Sequence, residues 1–125
     1  MRVLLSIRPQ FAELILSGKK RFEFRRQIYK NPEVTSVVIY VTKPIGKIVG
    51  EFTIRDIHHG TPQDIWKLTK SASGIDSISY KEYFRGRDIA FAIEVDKVIK
   101  YQRPVCLSDL LPSGYPPQSF AYLPS

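Results

Sequence analysis

Cysteine is all but missing. Cys106 stands alone, which excludes a disulfide framework within the chain and suits a reducing compartment. Set in an apolar Pro-Val-Cys-Leu run, it is expected to be a small buried thiol and not a nucleophile. Long hydrophobic runs are missing too. The first apolar stretch spans only Val3 to Ile7, too short for a secretory signal, and nothing approaches the ~20 apolar residues of a membrane helix. A cytoplasmic location without membrane contact is the expectation. Acidic residues are scarce, 12 against 19 lysines and arginines, leaving a net charge of +7. That excess favours a polyanionic partner through counterion release, although solubility alone explains a charge of this size on a small domain.

The familiar chemical signatures are absent as well. No CxxC or HExxH spacing occurs, and His58 and His59 are adjacent, so in a strand they would point to opposite faces. The pair is expected in an exposed turn, with no metal site and no cofactor. Neither a dinucleotide fingerprint, a phosphate-binding P-loop nor a serine-hydrolase elbow is present. Gly18, Gly46, Gly50, Gly74 and Gly86 fall where turns or bulges are expected.

What remains is enough for one domain over residues 1–125, with seven tyrosines, seven phenylalanines and one tryptophan to fill a core. Arg2 to Ile7 reads as a strand. Pro9 opens a helix whose apolar stripe is Phe11, Ala12, Ile15 and Leu16, closed by Gly18. Period two returns at Arg21 to Arg26, then a β-rich run covers Val34 to Thr42. Ile45 to Ile57 is a further strand region whose alternation slips at Asp56-Ile57, predicting a bulge. Thr61 and Pro62 start a second helix, and Ser79 to Phe84 form a short one. Asp88 to Val95 is a strand with Ile89, Phe91, Ile93 and Val95 inward and a thin alanine face opposite. The proline-rich tail carries too many aromatics for disorder and is expected to pack on the domain. The fold class is α+β: a small mixed β-barrel of five to six strands with two or three helices.

One stretch stands out. GKKRFEFRR, residues 18–26, encloses a single glutamate in five cations. On a strand, Glu23 and Arg25 share one face, and Lys20 lies at the turn before them. Cations this near are expected to lower the Glu23 pKa and keep it ionised. Glu23 would then orient Lys20 and Arg25, or accept a hydrogen bond from a base edge; an ordinary salt-bridged strand face carries the same pattern.

The G-x-K-x-x-E-x-R pattern of Gly18, Lys20, Glu23 and Arg25 resembles the ASCH domain family of the PUA-like superfamily. So, in order, do SIRPQFAELILSGKKRFEFRR, VIYVTKP, GEFTI, YFRGRDIAFAIEV and PPQSFAYL, which together cover most of the chain. The resemblance implies a PUA-like barrel with a cleft beside the first helix, lined by the motif lysine, glutamate and arginine. It implies RNA, a nucleotide or a nucleoside as partner, and in some branches ribonuclease or amidohydrolase activity. The amidohydrolase branch has a threonine where this chain has Glu23, and Glu82 does not align with its downstream glutamate, so that arrangement does not carry over.

The nucleic-acid-binding residues expected are therefore Arg8, Lys20, Glu23 and Arg25, with Tyr40, Tyr83 and Trp66 as stacking faces and Gln118 and Ser119 presented by the tail. Trp66 and Tyr40 are equally readable as core filling. Were the chain an enzyme, Lys20 with Glu23, or Lys43 with Tyr40 and Ser119, would act without a metal. An adaptor whose basic face meets an acidic protein is a third reading.

Overall fold

The structure is a computed structural model describing residues 1–124. Its strands are β1 (Arg2–Ile7), β2 (Phe22–Arg25), β3 (Ser36–Val41), β4 (Lys47–Gly60), β5 (Ala90–Val105) and β6 (Phe120–Leu123). Its α-helices are α1 (Pro9–Leu16), α2 (Pro62–Thr69) and α3 (Ser77–Tyr83). The strands make one curled sheet in the order β2-β5-β4-β3-β1-β6. Only β1 and β3 run parallel, with α1 in the connection between them; the remaining pairs are antiparallel. This is a curled α+β half-barrel of six strands and three α-helices, in the fold class the pattern predicts.

Period two builds the core. Val3, Leu5 and Ile7 alternate with Leu4, and Val37, Ile39 and Val41 alternate with Val38 and Tyr40. The first set packs with Phe52, Ile93 and Val95 beneath Ala12 and Ile15 of α1. The second set packs on the other face with Ile48, Leu107 and Leu123. A third cluster fills the thin alanine face: Ala90 and Ala92 leave room for Phe24, Ile65, Tyr80 and Phe84. Bulges interrupt the β4–β5 register at three places, one of them between Ile54 and Asp56, and curl the sheet.

Three expectations fail here. His58 and His59 are strand residues, because β5 supplies pairing partners all the way to Gly60; the His58 ring bonds Glu94 at 2.8 Å. Cys106 is exposed, since the chain turns after Val105 and it is Leu107 that points inward. Its sulfur accepts a hydrogen bond from the Lys47 ammonium at 2.9 Å. Ile89 is half exposed because the strand begins one residue later, at Ala90.

Candidate nucleic-acid interface

The end of α1 delivers the first site residue. Gly18 takes a left-handed φ of +83°, a conformation a β-carbon disfavours, and the reversal brings Lys20 under the loop of residues 72–75. The Arg21 amide donates to Ala72 O at 2.9 Å, and the Lys20 ammonium donates to Ser73 O. Lys20 is only 2% exposed. Its ammonium lies 4.6 Å from the Phe24 ring centroid and 5.1 Å from that of Phe11, contacts that partly replace lost water. Burial dominates nonetheless, lowering its pKa to about 8 against a raising effect of Glu23.

Strand β2 places Glu23 and Arg25 on one face. One Arg25 nitrogen lies 3.2 Å from Glu23 Oε2 and 3.3 Å from Ser6 O, while the other donates to Ser119 O at 2.7 Å. A single guanidinium thus ties β2, at one edge of the sheet, to the end of β1 and to the tail leading into β6. Glu23 departs from its expected electrostatics. Burial raises its pKa, and this outweighs the lowering by Arg25 and Lys20. Sequence shows the neighbouring charges but not the lost water.

Arg8, Lys20, Glu23, Arg25, Tyr83 and Gln118 line one cavity of about 460 Å³, walled on its apolar side by Phe11 and Phe24. Glu23 is the one carboxylate among its lining residues, against the cations Arg8, Lys20, Arg25 and Arg26. Ser119 lies in an adjoining hollow of about 230 Å³ that shares Arg25, Arg26, Tyr83 and Gln118. Three residues fall elsewhere. Tyr40 is 5% exposed in the cluster on the opposite sheet face, so its ring offers no stacking surface, because alternation along β3 turns it away from α1. Lys43 is exposed in the turn after β3 and lines none of these hollows. Trp66 sits apart, half-buried against Tyr80 at 4.7 Å between centroids.

Arg26 joins the site although the strand period does not place it there. Period two assigns it to the far face, but β2 ends at Arg25 and the chain turns. Its Nε donates to Tyr83 O at 2.8 Å, and its guanidinium covers the Tyr83 ring at 4.4 Å. Tyr83 is therefore already capped on one face. Among the described residues no three His, Cys, Asp or Glu side chains cluster as metal ligands, and no helix is long and apolar enough to cross a membrane.

Comparison with known proteins adds a family. A model of the ASCH domain matches residues 5–99. Over 122 residues, 96% of this chain and 82% of the relative, the sequence is 29% identical to an ASCH domain-containing ribonuclease of Zymomonas mobilis. It is 30% identical over 122 residues to large ribosomal subunit protein uL22 of Ureaplasma parvum; those residues are 97% of this chain but only 39% of that protein. The crystal structure of ASCH from Zymomonas mobilis superposes with a TM-score of 0.90 at 28% identity, covering 98% of this chain and 87% of that one. Two further structures of that protein, a tyrosine-to-phenylalanine and a serine-to-alanine mutant, fit with TM-scores of 0.91 and 0.90. On the domain match and the shared fold, the chain belongs to the ASCH domain family.

Proposed function

We propose that the chain binds RNA, or a nucleotide from it, in the cavity around Lys20, Glu23 and Arg25. The observation that carries this reading is the unused bonding capacity at the cavity wall. An ammonium has three donors, and Ser73 O occupies one of those on Lys20. Glu23 Oε2 serves Arg25, whereas among the described residues no donor bonds its Oε1. A base edge carrying an acceptor beside a donor complements such a pair, and the half-buried Phe11 on the cavity wall suits an aromatic ring. Arg8 and Arg26, exposed at the rim, are placed for phosphates. Arg25 is a positioning residue, since its guanidinium is already bound to Glu23, Ser6 and Ser119.

Titrating a labelled single-stranded RNA at low and moderate salt tests this. Binding should weaken with salt, fall at least tenfold in Lys20→Met, and fall with a shallower salt slope in Arg8→Gln with Arg26→Gln. Absence of binding to any oligonucleotide or nucleotide at low salt defeats the reading.

A second reading, RNA cleavage, is favoured by the ribonuclease name of the Zymomonas relative and by a lysine whose pKa sits near 8. The neutral Lys20 amine would take the proton of a 2′-hydroxyl, whose oxygen attacks the adjacent phosphorus. The bond from phosphorus to the 5′-oxygen breaks, a cyclic phosphate forms, and solvent returns a proton to the leaving oxygen. The other candidate set is Tyr40, Lys43 and Ser119. It matches the Zymomonas mutants in residue type alone, a tyrosine and a serine, while Tyr40 is buried on the opposite sheet face and Lys43 lines none of the hollows. Tyr40 pairs with Ser6 of β1, and Ser119 lies one residue before the Leu5–Phe120 pair. Incubating RNA with the wild type, Lys20→Met, Tyr40→Phe, Lys43→Met and Ser119→Ala assigns any product to one set. Uncleaved RNA in the wild type removes the second reading and leaves the first.

A further inference from the structure

A groove of about 490 Å³ separates α2 from α3 and the Gly86 turn. Its floor is aromatic: the Trp66 and Tyr80 centroids lie 4.7 Å apart, and those of Tyr80 and Phe84 4.9 Å apart. Tyr80 is fixed by donating to Pro62 O at 2.7 Å, while Trp66 keeps part of its surface open. Lys67, Lys81, Arg85 and Arg87 line the groove, and no carboxylate does. Three of these cations follow the aromatics directly in sequence, in Trp66-Lys67, Tyr80-Lys81 and Phe84-Arg85. Glu82 partly offsets the charge by pairing with Arg85 at 2.6 Å, in an exposed bridge worth little.

The groove is not isolated. The small hollow beside Ser119 shares Arg87 with it, and shares Arg25, Arg26, Tyr83 and Gln118 with the central cavity. We propose that the three hollows form one track for extended single-stranded RNA, in which a second base stacks on Trp66 and phosphates run past Arg26, Arg87, Lys67 and Lys81. This rests on the central cavity being an RNA site. A single strand is the polymer that repeats one negative charge and one flat face per unit, and the groove repeats their complements. An acidic peptide satisfies the cations but brings no ring for the open face of Trp66.

Trp66 is the only tryptophan in the chain, so its fluorescence reports on this groove without labelling. The wild type is titrated with uridine mono-, di-, tetra- and octanucleotides, and with a glutamate octapeptide as the protein-like probe. Affinity should rise at least tenfold from the di- to the octanucleotide, with Trp66 emission quenched by the longer ligands alone. Lys67→Gln with Lys81→Gln, both at exposed positions, should remove that gain and reduce the salt slope by about 1.4 for the two lost contacts. Binding of the mononucleotide, followed by competition in the central cavity, should be unchanged. Length-independent binding with unquenched Trp66 overturns the track while leaving the central site standing, and quenching by the glutamate peptide equal to that by RNA also overturns it. Failure of every nucleotide to bind fails the central reading and the track together.

Discussion

A β-carbon on Gly74 would lie 2.5 Å from Cγ of Lys20. Nothing but a hydrogen fits between this loop and the lysine stem, and the same residue takes a φ of +66°. The close approach is what keeps Lys20 covered while its ammonium reaches the cavity. Gly74→Ala meets both the left-handed backbone penalty and a collision with the stem, so it should cost about 2–3 kcal/mol. Urea unfolding measures this. Because the stem must move, RNA binding should fall as in Lys20→Met. Unchanged stability and binding would mean that loop and lysine do not meet this closely.

Lys20 is a buried cation whose presence costs stability. Its pKa of about 8 in the folded chain lies below the ordinary 10.5. Between these values the unfolded chain holds more protons, so this group makes stability rise with pH across that window. Below about pH 8 both states are protonated and the full burial cost applies. Lys20→Met should therefore be more stable than wild type at pH 7. The gain should be roughly 1–2 kcal/mol after the lost bond to Ser73 O is subtracted, and it should shrink towards pH 10. RNA binding should be lost in the same variant. A residue present only for the fold would show the opposite signs.

The Arg25 guanidinium, bound to Glu23, Ser6 and Ser119, joins opposite edges of the sheet. Arg25→Met removes the tie to the tail and leaves Glu23 buried without its nearest cation, at a cost of about 3 kcal/mol. Hydrogen exchange should show β6 amides losing protection first. Adding Glu23→Gln to Arg25→Met should recover part of the loss, because a neutral amide needs no counter-charge. Additive losses would separate the two residues energetically.

Tyr29 is buried, and its hydroxyl is the one buried side-chain polar atom without a partner among the described residues. Burial pushes its pKa to about 12. Its ring still packs edge-on to Phe120 and Tyr122. Tyr29→Phe should keep that packing, remove an unsatisfied hydroxyl and stabilise the chain by about 1 kcal/mol. Thermal unfolding decides; a lower Tm would point to a bond from ordered water.

The sheet was legible because its strands carry local signals: Val3 to Ile7 is a short apolar run, and Phe22 to Arg25 alternate apolar with charged residues, without reference to anything distant. The site was legible to the extent that it is local. Glu23 and Arg25 are neighbours through the strand period alone, and Gly18 announces the turn that carries Lys20. What could not be read depends on partners far along the chain. His58 is strand because Ala92 pairs with it, and Lys20 is buried because residues 72–75 cover it. Tyr40 is removed from the cavity by which side of β3 faces α1. The sign of the Glu23 shift depends on burial: charges can be counted in a sequence, but excluded water cannot.

The two proposed activities of Lys20 demand opposite protonation states, which gives them opposite pH profiles. A charged ammonium that bonds a base edge or phosphate is present below about pH 8 and lost above it. Affinity for RNA should then fall as pH rises from 7 to 9, by up to tenfold per unit once the lysine is mostly neutral. An amine that takes a proton must be neutral, so cleavage limited by that step should climb through the same interval and level off above it. Measuring affinity and product formation on one preparation at several values between pH 6.5 and 9.5 separates these cases. A falling affinity with no product supports binding alone, and a rising rate that disappears in Lys20→Met assigns the base. A profile flat in both quantities would remove Lys20 from the chemistry of the cavity.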